Sequence, residues 1–546
     1  MNTTRNQISD SVVILALVII SLFVTPFYSY DPINTPRFVS TTIFGFISFL
    51  LFLTYKKTFR QKRFQPVLLI CVGFIIWSSI SSLSSKMNLQ DTLFGISGRQ
   101  TGLITYLSLI FLMLLTIIRS QSNLQLLIIK VLLNCGLIST LYGLIQSFGY
   151  DPLDWINSFN PVFGFFGNPN FQASFLGISA SASIAYILQG KLSKLARITW
   201  MLYIPLSMYV IYQSQSQQGF LVFAAGASTV IYIWIHTHKS FVKLRLLYLL
   251  AWVLGVFLVL LDIFQRSPWQ PILYKPSVTF RGDFWRTGWE ITKDNAIFGV
   301  GLDGYRDNYR FYRDQIAAER NPNSIVDSSH NVFLDISSGG GLPLLLIYIA
   351  LILLVIISIL RIIKRETEFN FGFAGVIGAW VAYLSQSIIS INQIGLAIWG
   401  WVLSGAIIGY EMNTREGGNG SILNGVRSEK LAIGTGILLG LIVTLPVFIS
   451  DGQFRSSIKQ GDVLKIEKNL NSWPQSVTRM NTAAQIFIEG GFADRALVIS
   501  QKAIKINPRN YEAWEKIYLN PVASINIKNL AFQKMKELDP LNPTLK

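Results

Sequence analysis

An all-α, polytopic membrane fold is the architecture that this 546-residue sequence predicts, and three observations carry the prediction. Hydrophobic residues make up 51% of the chain and charged residues only 14%, too little polar surface for water to wrap a globular protein of that size. Long apolar runs recur from Ser11 to Ser450, each matched to a hydrocarbon core of roughly 30 Å at about 1.5 Å rise per residue. Basic residues alternate in register with those runs.

About thirteen runs are present: 11–28, 37–54, 65–84, 101–118, 124–147, 171–189, 198–213, 219–236, 246–262, 338–360, 371–390, 394–411 and 431–449. With a cytoplasmic N-terminus, nineteen Lys and Arg fall in the short inner segments, against only Arg37, Lys86 and Arg99 in the short outer ones. Such a bias supports the helix count and an orientation with the N-terminus inside and the tail outside. The net charge of +17 thus reports topology, and its spread through short loops argues against a nucleic-acid partner. After the first run, Thr25, Pro26, Phe27 and Tyr28 provide no small-x-small cleavage site, so the run reads as a retained anchor. Cys71 and Cys135 lie inside runs without metal-ligand spacing and read as packing residues.

Three outer segments are long enough to build a site. Residues 148–170, rich in aromatics, Gly and Asn and free of basic residues, suit a re-entrant or amphipathic stretch at the headgroups. Residues 263–329 form the largest loop and complete a transmembrane domain spanning 1–450. The tail, 451–546, turns to a soluble amphipathic pattern in which Ala496, Ala503, Pro508 and Trp514 resemble the small, small, proline and aromatic positions of tetratricopeptide repeats. The alternative for the tail is a plain helical hairpin. As repeats, these helices would offer a surface to a protein partner, and they would pack on the preceding helix or the outer loop.

Of three histidines, His236 and His238 sit in a basic inner loop and read as solvated interface. His330 opens the run SSHNVFLDISSGGG, where the long loop turns into a membrane helix. A lone histidine is more often structural, but at the lip of a span an imidazole can take a proton beside a lipid-borne substrate. Upstream, Arg281, Trp285 and Trp289 recur every four residues on one helical face, with Arg286 around the helix and the turn GVGLDGY following. Taken alone, that helix reads as interfacial, with tryptophans at the headgroups and arginines on phosphates. Asp335 lies about 140° around the helix from His330, within reach of Asn331 or of a polar cavity, and Gly339 to Gly341 mark a break or a close helix crossing.

Together these residues resemble the superfamily of O-antigen ligases, O-antigen polymerases and bacterial O-oligosaccharyltransferases. The resemblance rests on Arg281 with Trp285, the Gly299–Gly301 turn, the motif His330, Asn331, Leu334, and a GNPN segment, Gly167 to Asn170. It covers about residues 160–360. One departure is the turn YQSQSQQGF, where Gln217 or Gln218 stands at a position that many members give to arginine; Arg99, on another outer turn, is the candidate substitute.

The resemblance implies that a glycan carried on undecaprenyl pyrophosphate is transferred, as ligase, polymerase or protein glycosyltransferase, to a glycan, lipid or protein acceptor hydroxyl at the outer face. No cofactor or metal is called for. Arg281 would stabilise charge on the departing phosphates and His330 would act as base. Arg286, Arg99, Gln217, Gln218, Asn331, Asn168 and Asn170 complete the candidate substrate-binding set. Two rival classes are a transporter or flippase of polyprenyl-linked glycans, against which stands the lack of repeated halves, and a membrane-anchored envelope scaffold.

Overall fold

The computed structural model describes residues 2–55, 61–120, 122–153, 155, 162–189, 192–238, 242–263, 276–414 and 426–545. Among them are twenty-two α-helices and no strand, and the chain is a polytopic membrane protein. Each of the thirteen apolar runs overlaps one helix, although the helix of the run 11–28 ends at Leu22. Nine of those helices are long and apolar enough to cross a membrane by length and composition. The other four are Asn2–Leu22, Leu103–Arg119, Pro169–Ile187 and Val242–Ile263. Several inner basic residues of the charge count, among them Lys56, Lys57, Arg60 and Lys191, lie outside the described residues, as do positions 264–275 of the outer loop.

The helix Ile394–Thr414 is the axis of the bundle and is buried from Ile394 to Met412. Elsewhere in the bundle, helices approach closely where small residues face each other. The backbone of Gly177 lies against that of Gly219, and Gly226 lies against Gly378, so that a Cβ at Gly219 would stand 2.7 Å from the Ala173 carbonyl. Cys71 and Cys135 are buried free thiols within this packing.

The 34-residue helix Val332–Arg365 is interrupted near its N-terminal end, where Gly341 takes φ +74° two residues before Pro343. The outer loop uses that break. Backbone bonds run from Val300 N to Ser338 O (2.8 Å), Gly301 N to Gly339 O (2.9 Å) and Leu342 N to Ala296 O (2.7 Å). Gly299, itself at φ +67°, approaches so closely that a Cβ there would be 2.4 Å from Gly339. The two glycine clusters are therefore one device: the Gly-Val-Gly turn is laid onto the glycine break, which fixes the loop relative to the first turns of the following helix.

The helix Val426–Gln460 runs through residue 451 without a break, and Phe454 and Ile458 pack in the core of the tail. Beyond it, helices Val463–Leu470, Val477–Glu489, Ala493–Ile506, Tyr511–Leu519 and Ile525–Leu538 follow. Ala496 and Ala503 are fully buried, and Trp514 Nε1 donates to the Pro508 carbonyl at 2.9 Å.

The tail docks on the outer loop through charge. Asp539, fully buried, accepts from Arg310 Nη1 at 2.8 Å and from Arg313 Nη2 at 2.8 Å. Arg310 also covers the Tyr511 ring at 4.0 Å, Arg509 donates to Asn308 at 2.7 Å, and Arg306 pairs with Glu512. Truncating one partner of a buried ion pair costs about 3–5 kcal/mol, because the other charge stays buried. Asp539→Asn is therefore expected to loosen the tail. Limited proteolysis of residues 463–545 should accelerate in that variant, and unchanged cleavage would show that the contact does not hold the tail.

Candidate active site

The site begins with a helix cap. Asn331 Oδ1 accepts from the amides of Phe333 (3.0 Å) and Leu334 (3.2 Å), satisfying donors that the first turn of Val332–Arg365 leaves free. Asp335, one turn further on, reaches back over this cap. Its carboxylate accepts from Ser328 Oγ (2.7 Å), Ser329 N (2.8 Å) and Ser329 Oγ (2.8 Å). Held between the two, His330 takes φ +54°, a left-handed conformation that costs a non-glycine residue about 1–3 kcal/mol and persists only where its surroundings enforce it.

That backbone carries the imidazole away from its own helix and onto Phe284, with centroids 5.3 Å apart and planes 28° from parallel. Neither ring nitrogen has a hydrogen-bond partner among the described residues. Phe284 belongs to the helix Pro276–Asp294, and Arg281 lies almost one turn before it. Burial together with the positive charges of Arg281 and Arg99 pushes the His330 imidazole down to about 3, so it is neutral at physiological pH.

Arg281 Nη2 donates to Gln218 Oε1 at 3.0 Å, and Gln218 Nε2 donates to Ser174 Oγ at 2.6 Å. Gln218 is buried, so in this structure it orients the arginine, and Gln217 beside it is exposed. Burial lowers Arg281 to about 10, which leaves it charged near neutrality. The GNPN segment supports the same corner. Asn168 caps Pro169–Ile187 by accepting from Asn170 N (2.8 Å), and Asn170 Oδ1 accepts from Ser216 Oγ (2.8 Å) in the turn before Gln217.

The two loop arginines part company. Arg286 turns to Asp283 and to Asp314 (2.8 Å) in a half-exposed ion cluster that also includes Arg320, so Arg281 alone of the pair makes the Gln218 contact. Arg99 stands 3.5 Å from Asp303, 4.0 Å from Asp335 and in hydrogen-bond contact with the Asp327 carbonyl. Asp303, from the GVGLDGY turn, binds the amides of Ile96 (3.2 Å) and Thr101 (3.1 Å). Arg99 thus knits three outer turns together under His330. Arg306, paired with Glu512 of the tail, also lies 3.4 Å from Asp327, so ion pairs run from the tail to the residues just before the histidine.

Beneath this corner the helix that begins at Gln218 forms one wall of an apolar groove of about 550 Å³. Leu221, Ala225, Tyr248, Trp252, Leu384 and Ile388 line it. Leu221 follows Gln218 by three residues, so the groove wall and the Arg281 contact share one face of that helix. Trp285 adds a buried indole N–H with no partner among the described residues.

Sequence reasoning did not reach the Asp335 clasp on Ser328 and Ser329, the Phe284 stack or the acceptor role of Gln218. The first was open to detection, since a carboxylate just inside a capped helix can bind the residues that precede the cap.

Residues 202–349 match the family model described as O-Antigen ligase. The matched stretch holds Gln217, Gln218, Arg281, Arg286, His330 and Asn331 and leaves Arg99 and the GNPN segment outside it. No curated protein matches the chain. The family match supports membership of the O-antigen ligase superfamily and a glycan-transferring membrane enzyme in general terms.

Proposed function

We propose that this protein transfers a glycan from a polyprenyl-pyrophosphate donor to an acceptor hydroxyl at the outer face of the bacterial inner membrane. The observation that carries the reading is the placing of an unpartnered, neutral imidazole and the Arg281 guanidinium on neighbouring turns, above an apolar groove. Isoprenoid chain suits the groove and diphosphate suits the guanidinium. Pyrophosphate leaves readily, so the chemical demand is for charge stabilisation at the departing phosphates and for removal of the acceptor proton. Arg281 meets the first demand and His330 the second, with Asp335, Asn331 and Gln218 as positioning residues. Arg286, Gln217 and Asn170 would touch the glycan rather than the phosphates. The cytoplasmic N-terminus and outer tail follow the charge bias, and the tail, read as tetratricopeptide-like, would present a protein partner or acceptor. Purified protein with lipid-linked donor and acceptor tests the reading, with His330→Ala as the control that should not turn over.

The depressed imidazole has a consequence independent of turnover. His330 should stay neutral from pH 8 down to 5, and the stability this gives the fold, present above the ordinary value near 6.5, should be lost as pH falls toward 3. Replacing Arg281 with Gln removes a nearby positive charge and should raise the titration point. Histidine NMR on a background lacking His236 and His238 reads it directly; a midpoint near 6.5 in the unaltered site would contradict the electrostatic account. Diphosphate binding opposes the same field, so the base strengthens when the donor arrives.

A further inference from the structure

A second cavity, of about 130 Å³, lies where the outer loop meets the tail. It is walled by three distant stretches: Lys86 beyond the helix Gln65–Ser84, the loop residues Asn295, Asp307 and Tyr312, and Asn507 and Arg509 of the tail. Its polar groups are unevenly used. Arg509 commits Nη2 to Asn308, while its Nε is buried without a partner among the described residues. The Tyr312 hydroxyl accepts from Asn295 at 3.3 Å, and no acceptor for its own proton is found among the described residues. Lys86 is exposed at the rim. Opposite these donors stands an acceptor, the half-buried Asp307 carboxylate, which accepts from Asn507 Nδ2 at 2.6 Å.

This mixture selects among ligand classes. Phosphate or carboxylate would use the donors but face Asp307 across a short gap. An apolar group would leave the buried Arg509 N–H unsatisfied. Hydroxyls on adjacent ring carbons donate and accept at once, and so use both sets. We propose that this cavity is a saccharide-binding subsite formed jointly by loop and tail, distinct from the reacting centre.

The distance between the two identifies the length of ligand. Phe284, which carries the His330 stack, lies eleven residues before Asn295 on the same helical path, roughly 16 Å at the α-helical rise. The backbone bonds between the Gly-Val-Gly turn and the Gly339–Gly341 break hold that spacing. A single sugar cannot occupy both places, whereas a glycan of several units with one end at His330 can. The subsite would favour long chains over short ones, and this link to transfer rests on the function proposed above.

Binding and turnover are separable in the test. The full chain in lipid nanodiscs would be titrated calorimetrically with size-fractionated oligosaccharides released by mild acid from the host's lipid-linked glycan. The informative variant is Lys86→Ala with Tyr312→Phe, because neither side chain ties loop to tail. Fragments of several units should bind the unaltered protein and His330→Ala alike, and the double variant should bind them roughly tenfold more weakly. At saturating donor its turnover should be unchanged, with KM rising for long glycans only. Absence of binding to the unaltered protein, or equal binding by the double variant, overturns the subsite. Retained turnover in His330→Ala would instead overturn the transfer reading and leave the binding result standing.

Discussion

Replacing His330 with alanine should lower transfer per folded molecule by roughly two to four orders of magnitude, the range that a positioned general base contributes. Lipid-linked donor should still bind, because the groove and Arg281 are untouched. The geometry gives this variant unusual resolving power. His330 makes no side-chain hydrogen bond among the described residues, and the cap belongs to Asn331 and the clasp to Asp335. A structural histidine would be missed in stability or yield, whereas this one should be missed in rate. Asp335→Asn sharpens the comparison, since it keeps the volume but weakens the clasp that holds φ at +54°. It should reduce kcat less than His330→Ala and leave donor binding alone. Wild-type turnover in purified His330→Ala would return the protein to the transporter or scaffold readings.

Much of the architecture was legible because a bilayer sets a length scale that sequence must honour. All thirteen runs name helices, and they depart from them at the ends. The run starting at 338 is preceded by six helical residues, Val332 to Ser337, four of them apolar, and their helix begins at the Asn331 cap rather than where the unbroken run does. The run ending at 449 continues to Gln460 because the helix carries on into the core of the tail, where Phe454 and Ile458 pack. Glycines at 299–301 and 339–341 could each be read as a turn or a break, but nothing in one dimension says that they hydrogen-bond to each other.

The site was legible as residue types and opaque as pairings. Helical spacing separates Arg281 from Arg286, yet it cannot tell which face meets Gln218 and which meets Asp314. The same limit applies to Arg99. Its position on an outer turn made it a candidate phosphate ligand, while the carboxylates around it, Asp303 and Asp335, come from more than two hundred residues away. Gln218 shows a subtler gap, because an amide can donate or accept, and the structure has it accept from Arg281.

Arg281 is where the charge argument meets its strongest test. Its guanidinium gives one N–H to Gln218, and on the function proposed above its other donors would meet a diphosphate oxygen. Burial raises the value of that charge by excluding water, without neutralising it near pH 7. Removing a preorganised donor of this kind costs about 10²–10³ in rate, and Arg281→Ala, which also deletes the cation, should lose at least that much while expressing normally. Arg281→Lys should recover only part of the loss, because an ammonium group restores charge without the planar fork that could hold Gln218 and a phosphate together. Gln218→Leu separates the two contributions. It keeps the charge and frees its direction, so it should cost roughly tenfold or less. If Arg281→Ala turned over like the unaltered enzyme, the phosphate-holding role would have to pass to another cation. Arg286 and Arg99 would then have to leave the ion pairs that occupy them.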